Sequence, residues 1–321
     1  MRLQMLVSAL GIGLLAAAGS AEAQTVGMAT SPAGSLYHTQ GSAIAPILNE
    51  KAKIELRIQP FSSPNIHLPA INAGQIDFGL ANLYEVYLAA NGLDYFKGNK
   101  NENLRLVTVT GPLRSAIFVK KDSPIKTISD LKGQRITWGF TQQNTIMGQI
   151  MSYFDSAGLS EKDITPVMVP AVVRGADDFA AGKTDAFLFA VGSAKVTEVD
   201  AAVGGVRALP LEDGPKTQAA FKKHFPVAYV QVVNPAPGLA GIHEPTGIMA
   251  YDAVLVTHAK APEDVVYNMT KTLHENAEAV AKSSPTLRGF APASMAKNTG
   301  DVQYHPGAIK YYKEKGLWPP K

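Results

Sequence analysis

Cysteine does not occur anywhere in the 321 residues. No disulfide can therefore brace the fold, which must stand on its core alone, and no lipid can be attached through a cysteine near the start. Charge of one sign is also missing: the net charge is +3 and no run of lysine or arginine exceeds two residues. Neither a nucleic-acid groove nor a membrane-surface patch is written into such a chain. The seven histidines form no H-E-x-x-H pattern and no close pair, which argues against a metal site. No G-x-x-x-x-G-K-[ST] loop is present, so nothing cradles a nucleotide phosphate. Ser129-Asp130-Leu131-Lys132 fits S-x-x-K, but the S-D-N and K-T-G companions of that acylating motif are wanting, Lys183-Thr184-Asp185 being the nearest approach. Ser129 reads instead as the N-cap of a one-turn helix ended by Gly133, and no enzymatic activity and no cofactor are expected.

Hydrophobic residues make up 46% and charged residues 18%, enough apolar material for a large core. The first residues, "MRLQMLVSALGIGLLAAAGSAEAQ", carry one arginine, an apolar stretch from Met5 to Ala18 and then Ala21-Glu22-Ala23. This is the pattern of a secretory leader over 1–23 cleaved after Ala23. The apolar stretch is too short for a spanning helix, which needs roughly 20 apolar residues, and no later run reaches that length. The expected location is the periplasm.

After Gln24 the chain alternates short apolar runs with helical stretches. "TVGMAT" predicts a strand, followed by a helix over 36–49; "KIELRIQPF" has the period-two spacing of a strand. A helix ending at Gly74, a strand at "IDFGLAN" and a helix stopped by Gly92 follow. A new block of strands and helices begins after Gly111-Pro112, with strands at "RSAIFVKKDSP", "RITWGF", "ITPVMV" and "DAFLFAV". From about Phe221 the chain reads as irregular, then returns to a strand at "IMAYDAVLVT" and one long helix from Pro262 to Ser284. This alternation predicts an α/β fold with parallel sheet. Two such blocks predict two lobes with a hinge and a ligand cleft between them, the ligand lying at strand carboxyl ends beside helix N-termini.

Several segments, in order, resemble the TAXI-family solute receptors of TRAP transporters: "AGSLYHTQGSAIAPILNE", "NAGQIDFGLAN", "DSPIKTISDLKGQRITWG", "AAGKTDAFLFAVGSA", "PEDVVYNMTKTLHEN" and the ending "YHPGAIKYYKEKGLW". The resemblance runs over essentially the whole chain after the leader. It implies a type II periplasmic binding fold with lobe one at 24–112 plus 226–321 and lobe two at 113–225. It further implies a monomer that carries a small carboxylate solute, glutamate-like or dicarboxylate-like, to the membrane subunits of a TRAP permease. A receptor for an ABC importer, or an exported ligand sensor on the same fold, is the alternative. The chain departs from the family pattern at Leu36, at Asn82-Leu83-Tyr84 and at Asn144-Thr145-Ile146.

The candidate ligand contacts follow from helix starts, where backbone N–H groups favour an anion. Ser35 stands where a loop enters a helix, as ligand contact or plain N-cap. Tyr37 either packs beneath that loop or reaches the ligand. Asn82 is a candidate by the resemblance alone, standing where the family commonly ends its third strand in a ligand-facing Gln-Ser-Asp. Asn144 and Thr145 open the second-lobe helix opposite Ser35, forming a clamp or merely a cap. Arg114 lies where the chain is expected to cross between lobes; it either grips a carboxylate through paired hydrogen bonds or makes an ion pair. Arg174 is a weaker version of the same idea, with Asp177 and Asp178 close enough to neutralise it. Gly192 lets backbone approach a ligand or simply makes a tight turn, and Ser193 follows it.

Overall fold

The computed structural model describes residues 24–320; the expected leader over 1–23 lies outside them. Strand β1 (Gln24–Thr30) leads through a loop to helix α1 (Leu36–Ala52), then β2 (Ile54–Pro60) and α2 (Pro64–Asn72), β3 (Phe78–Asn82) and α3 (Leu83–Asn91). β1 pairs in parallel with β2 on one side and β3 on the other, as the period-two and 3.6-residue patterns predict. β3 is buried along its whole length, which suits a central strand covered on both faces.

The Gly111-Pro112 pair, read as the end of one block, lies inside a single strand. β4 runs unbroken from Leu104 to Lys120, the proline sitting where an irregular ladder tolerates a missing N–H. After it come β5 (Arg135–Gly139), α4 (Thr145–Ser156), β6 (Thr165–Val169), α5 (Val172–Ala180) and β7 (Ala186–Ala190). Ser129 does not cap the one-turn helix there: it is already its first residue, and the Asp130 carboxylate instead accepts from the Lys126 and Thr127 N–H groups at 2.9 and 2.8 Å. Arg174 lies inside α5 and pairs with Asp178 at 3.2 Å.

The stretch read as irregular holds more order than its composition suggests. Before it, where the sequence predicted no element, lie α6 (Ala194–Val203) and β8 (Val206–Ala208); α7 (Pro215–His224) runs into it and β9 (Tyr229–Val233) lies within it, ahead of β10 (Thr246–His258). The long C-terminal helix is two, α8 (Glu263–Glu275) and α9 (Ala277–Ser283), separated at Asn276, whose side chain donates to the Thr272 carbonyl at 2.8 Å. A competing side-chain bond of this kind weakens helix continuation. α10 (Pro306–Glu314) follows, capped by His305, whose Nδ1 accepts from the Gly307 N–H at 3.1 Å.

The strands form one sheet in the order β2-β1-β3-β10-β4-β7-β5-β6, with β8 on β4 and β9 on β10. Its two flanks, β2-β1-β3 and β7-β5-β6, are parallel within themselves. Between them β4 and β10 run antiparallel to one another, β10 also against β3 and β4 against β7. The sheet is therefore mixed rather than parallel throughout. β4 and β10 carry the chain from one flank to the other as a paired ribbon, with register shifts at Ala253/Val254 and Leu255/Val256. Among the described residues no helix is long and apolar enough to cross a membrane.

Candidate functional site

A cavity of about 60 Å³ lies where the two flanks meet. Its walls come from the carboxyl ends of parallel strands and the helix starts beyond them. Ser31, Ser35, Leu36 and Tyr37 follow β1; Pro64 opens α2; Asn82 and Glu85 join β3 to α3. Across from them stand Gln143, Thr145, Ile146 and Gln149 around the start of α4, Val172 opening α5, and Leu188 to Ala190 ending β7. The floor is the ribbon itself, with Leu113 and Ser115 of β4 and Tyr251 of β10, Tyr251 being the register partner of Leu113. About 15 Å³ of such space holds one water, so the cavity suits a few waters or a short solute.

Four of the expected contacts meet here: Ser35, Tyr37, Asn82 and Thr145. Each is already engaged or enclosed. Ser35 caps α1, its Oγ accepting from the His38 N–H at 3.3 Å. Asn82 caps α3, its Oδ1 accepting from the Glu85 N–H at 2.7 Å, and Glu85 reaches back toward the Asn82 N–H in a reciprocal box. Thr145 donates its hydroxyl across the cavity to Glu85 Oε1 at 2.7 Å, joining the two flanks. Tyr37 is buried with its phenol beside Asn82 and Glu85, and burial holds its pKa well above the ordinary tyrosine value.

The other four stand outside the cavity. Strand alternation sends Arg114 to the face opposite Leu113 and Ser115, where its Nε donates to Gln231 Oε1 at 3.0 Å. It cannot grip a solute in the cavity from there. Asn144 has helical backbone angles and no capping bond, and its side chain is not part of the wall. Gly192 (φ 81°) makes the turn after β7 against Leu239 and Pro285, and Ser193 donates its hydroxyl to the Ala190 carbonyl at 2.8 Å. These two shape the turn below the wall instead of facing the cavity.

The residues that sequence reasoning missed are Glu85, Gln149, Tyr251, Ser115 and Gln143. Burial pushes the Glu85 carboxyl up to about 7, against the Thr145 and Asn82 hydrogen bonds that favour its charged form. The Gln149 Oε1 accepts from the Ser115 hydroxyl at 2.9 Å, whereas its Nε2 is buried without a hydrogen-bond partner. Gln149 also stands beside the Tyr251 hydroxyl, on which its amide acts to oppose the upward push of burial. Tyr153 braces the floor by donating to the Ser115 carbonyl at 2.5 Å and accepting from the Met249 N–H at 3.1 Å. Gln143 caps α5 through the Val172 N–H at 2.8 Å. None of the residues lining the cavity is lysine, arginine or histidine.

The model of the NMT1-like family matches residues 28–316. The chain belongs to the NMT1-like family. Over 124 residues, 37% of this NMT1-like chain, it is 33% identical to the putative aliphatic sulfonates-binding protein of Escherichia coli (strain K12), of which the match covers 35%. The chain thus spans about a third of the length of that relative. Among solved structures it is similar to PhnD1 from Prochlorococcus marinus (MIT 9301) in complex with methylphosphonate. That similarity has a TM-score of 0.52 at 10% identity, covering 84% of this chain and 91% of that one. It is also similar to the alkanesulfonate-binding protein SsuA from Xanthomonas axonopodis pv. citri bound to MOPS, at 18% identity and TM-score 0.47, covering 94% and 96%. The fold is the mixed α/β, two-lobed fold of periplasmic solute-binding proteins, the class expected from the sequence.

Proposed function

We propose that this NMT1-like protein is an exported solute receptor, which captures a small solute between its lobes and hands it to a membrane permease for uptake. The observation that carries the reading is the cavity at the carboxyl ends of strands from both flanks, where helix starts, two phenols and an unpartnered amide converge. In this reading lobe one is 24–112 with 226–321, lobe two is 113–225, and the protein acts as a monomer in the periplasm after loss of residues 1–23. Ser35, Tyr37, Asn82 and Thr145 are the proposed contacts from the original set; Arg114, Asn144, Gly192 and Ser193 drop out because they do not line the cavity. The solute belongs to the amino acids and organic acids. A ligand stabilises the closed state only by its differential affinity for it, and Thr145–Glu85 is one contact that such closure makes.

The TRAP-type permease is proposed from the sequence resemblance. An ABC importer is the second reading, favoured by the partial identity to a protein named for aliphatic sulfonates. A thermal-shift screen of amino acids, organic acids, alkanesulfonates and neutral sugars tests the receptor. Saturable stabilisation by one class, with the solute recovered unchanged, is the expected result. Turnover of the solute, or no stabilisation by any class, would sink the proposal. Uptake in proteoliposomes then separates the permeases, a sodium gradient driving the first and ATP hydrolysis the second.

A further inference from the structure

We propose that Glu85 determines specificity in the cavity and that the solute it selects carries a protonated amino group, seated against the Glu85 carboxylate beside Tyr37, Tyr251 and Gln149. This rests on the solute-receptor reading above and narrows it from acids in general to amine-bearing solutes.

Glu85 is 4% exposed and accepts hydrogen bonds only from neutral donors, the Thr145 hydroxyl at 2.7 Å and, at 3.5 Å, the Asn82 N–H. The titratable groups that face it are phenols from three elements: Tyr37 on α1, Tyr95 on the turn Asp94–Phe96, and Tyr251 on β10. No lysine, arginine or histidine lines the cavity to balance a charge there. A buried carboxylate without a cation is unfavourable, and it either holds a proton or waits for a positive partner. Its place at the start of α3 and against the first residue of α4 favours the charged form once a partner arrives.

The second, independent mark is Gln149. Ser115 fixes its amide through Oε1, which leaves the buried Nε2 with hydrogens and no acceptor. A donor so placed calls for an oxygen on the solute. An ammonium for Glu85 and an oxygen for Gln149 together describe an amino acid or amino alcohol with a short apolar body, matched to Leu36, Leu113, Ile146 and Leu188. A plain dicarboxylate or sulfonate instead meets a built-in acid at the same helix starts and binds only while Glu85 keeps its proton. The raised carboxyl, near neutrality by burial, places the exchange of that proton in an accessible range.

The test is calorimetric titration of the full chain with two matched sets: glutamate, glutarate and γ-aminobutyrate; leucine, isocaproate and isopentylamine. Amine-bearing members are expected to bind and the deaminated acids to bind at least roughly tenfold more weakly, with Glu85→Gln erasing the preference. Repeating the titration near pH 7 in buffers of different ionisation enthalpy reads the proton on the wild-type protein, independent of whether the variant folds. Binding of an amine releases a proton from Glu85, whereas binding of a plain acid takes one up. Tighter binding of glutarate or isocaproate with proton uptake, or unchanged amine binding in Glu85→Gln, overturns the proposal while the receptor reading stands. Silence of all six probes overturns it too, and the receptor reading falls with it only if the wider thermal-shift screen is silent as well.

Discussion

Tyr153 is a single side chain on which the cavity floor depends. Its hydroxyl serves the Ser115 carbonyl and the Met249 N–H, which belong to the register pair Ser115–Met249 of the central ribbon. Tyr153→Phe removes one hydrogen bond from each group, a loss of about 0.5–1.5 kcal/mol each. We expect a lowered melting temperature and a weakened solute affinity, checked by calorimetry; an unchanged melting temperature would show that water or a shifted neighbour serves those groups. Thr145→Val acts differently. It removes a hydrogen bond that favours the charged Glu85, so the carboxyl should titrate still higher than in the wild type, as read by NMR of labelled glutamate. A downward movement would contradict the arrangement.

Among elements, α4 and α7 lie so close that Gly148 has no room for a side chain: a Cβ there would stand 2.6 Å from the His224 carbonyl oxygen. Glycine to alanine inside a helix ordinarily stabilises by about 1 kcal/mol. Gly148→Ala should instead destabilise, by roughly 1–3 kcal/mol for an overpacked contact, and denaturant unfolding gives the sign directly. Element scale is also where the sequence was most and least legible. The flanks could be read because each strand and helix there carries its own period, as in "KIELRIQPF" and β3 with its Gly92-stopped helix. β4 was half read because Gly-Pro is a local breaker, and only its pairing with β10 keeps the strand going through it. β9 is mostly half-buried or exposed, with only Val233 buried, so its side chains show no strong alternation. At the cavity, Ser35 and Thr145 were reachable because helix starts leave a mark in the sequence, and Tyr37 and Asn82 through the family resemblance. Glu85 left one too, the Asn82-x-x-Glu85 capping box, and Gln149 lies one turn beyond Thr145 on the same face. Tyr251 has no local signature; only its register opposite Leu113 puts it there. Arg114 misled because the parity of a strand that was not yet seen to be continuous decides which way it points.

For the whole molecule, two buried groups set opposite limits on pH. Glu85 is held up near 7 in the folded protein from an ordinary 4.5, so its contribution is full below that ordinary value and lost as pH rises through about 7. His67, buried with Nε2 on the Leu80 carbonyl at 3.1 Å and Nδ1 unpartnered, is pushed down to about 4 from 6.5. Its contribution is present above 6.5 and lost as pH falls through about 4. Each shift corresponds to a few kcal/mol at most. We expect the solute-free protein to be most stable in mildly acid solution, with Glu85→Gln removing the decline on the alkaline side and His67→Gln that on the acid side. Unfolding curves across pH check this, and superimposable curves for wild type and variants would refute it.

The central position of β10 bears on how the chain comes to be folded at all. This strand enters the sheet between β3 and β4, yet it begins only at Thr246, after most of the chain. Until it arrives, β3 has no partner on that side and the two flanks share no ribbon, so a nascent chain can collapse locally but cannot close its sheet. Contacts across so much sequence form late and slowly. A chain cut before Thr246 should therefore show no cooperative melting and rapid proteolysis. The same delay leaves the growing polypeptide without a closed sheet until Thr246 and the residues after it have been made.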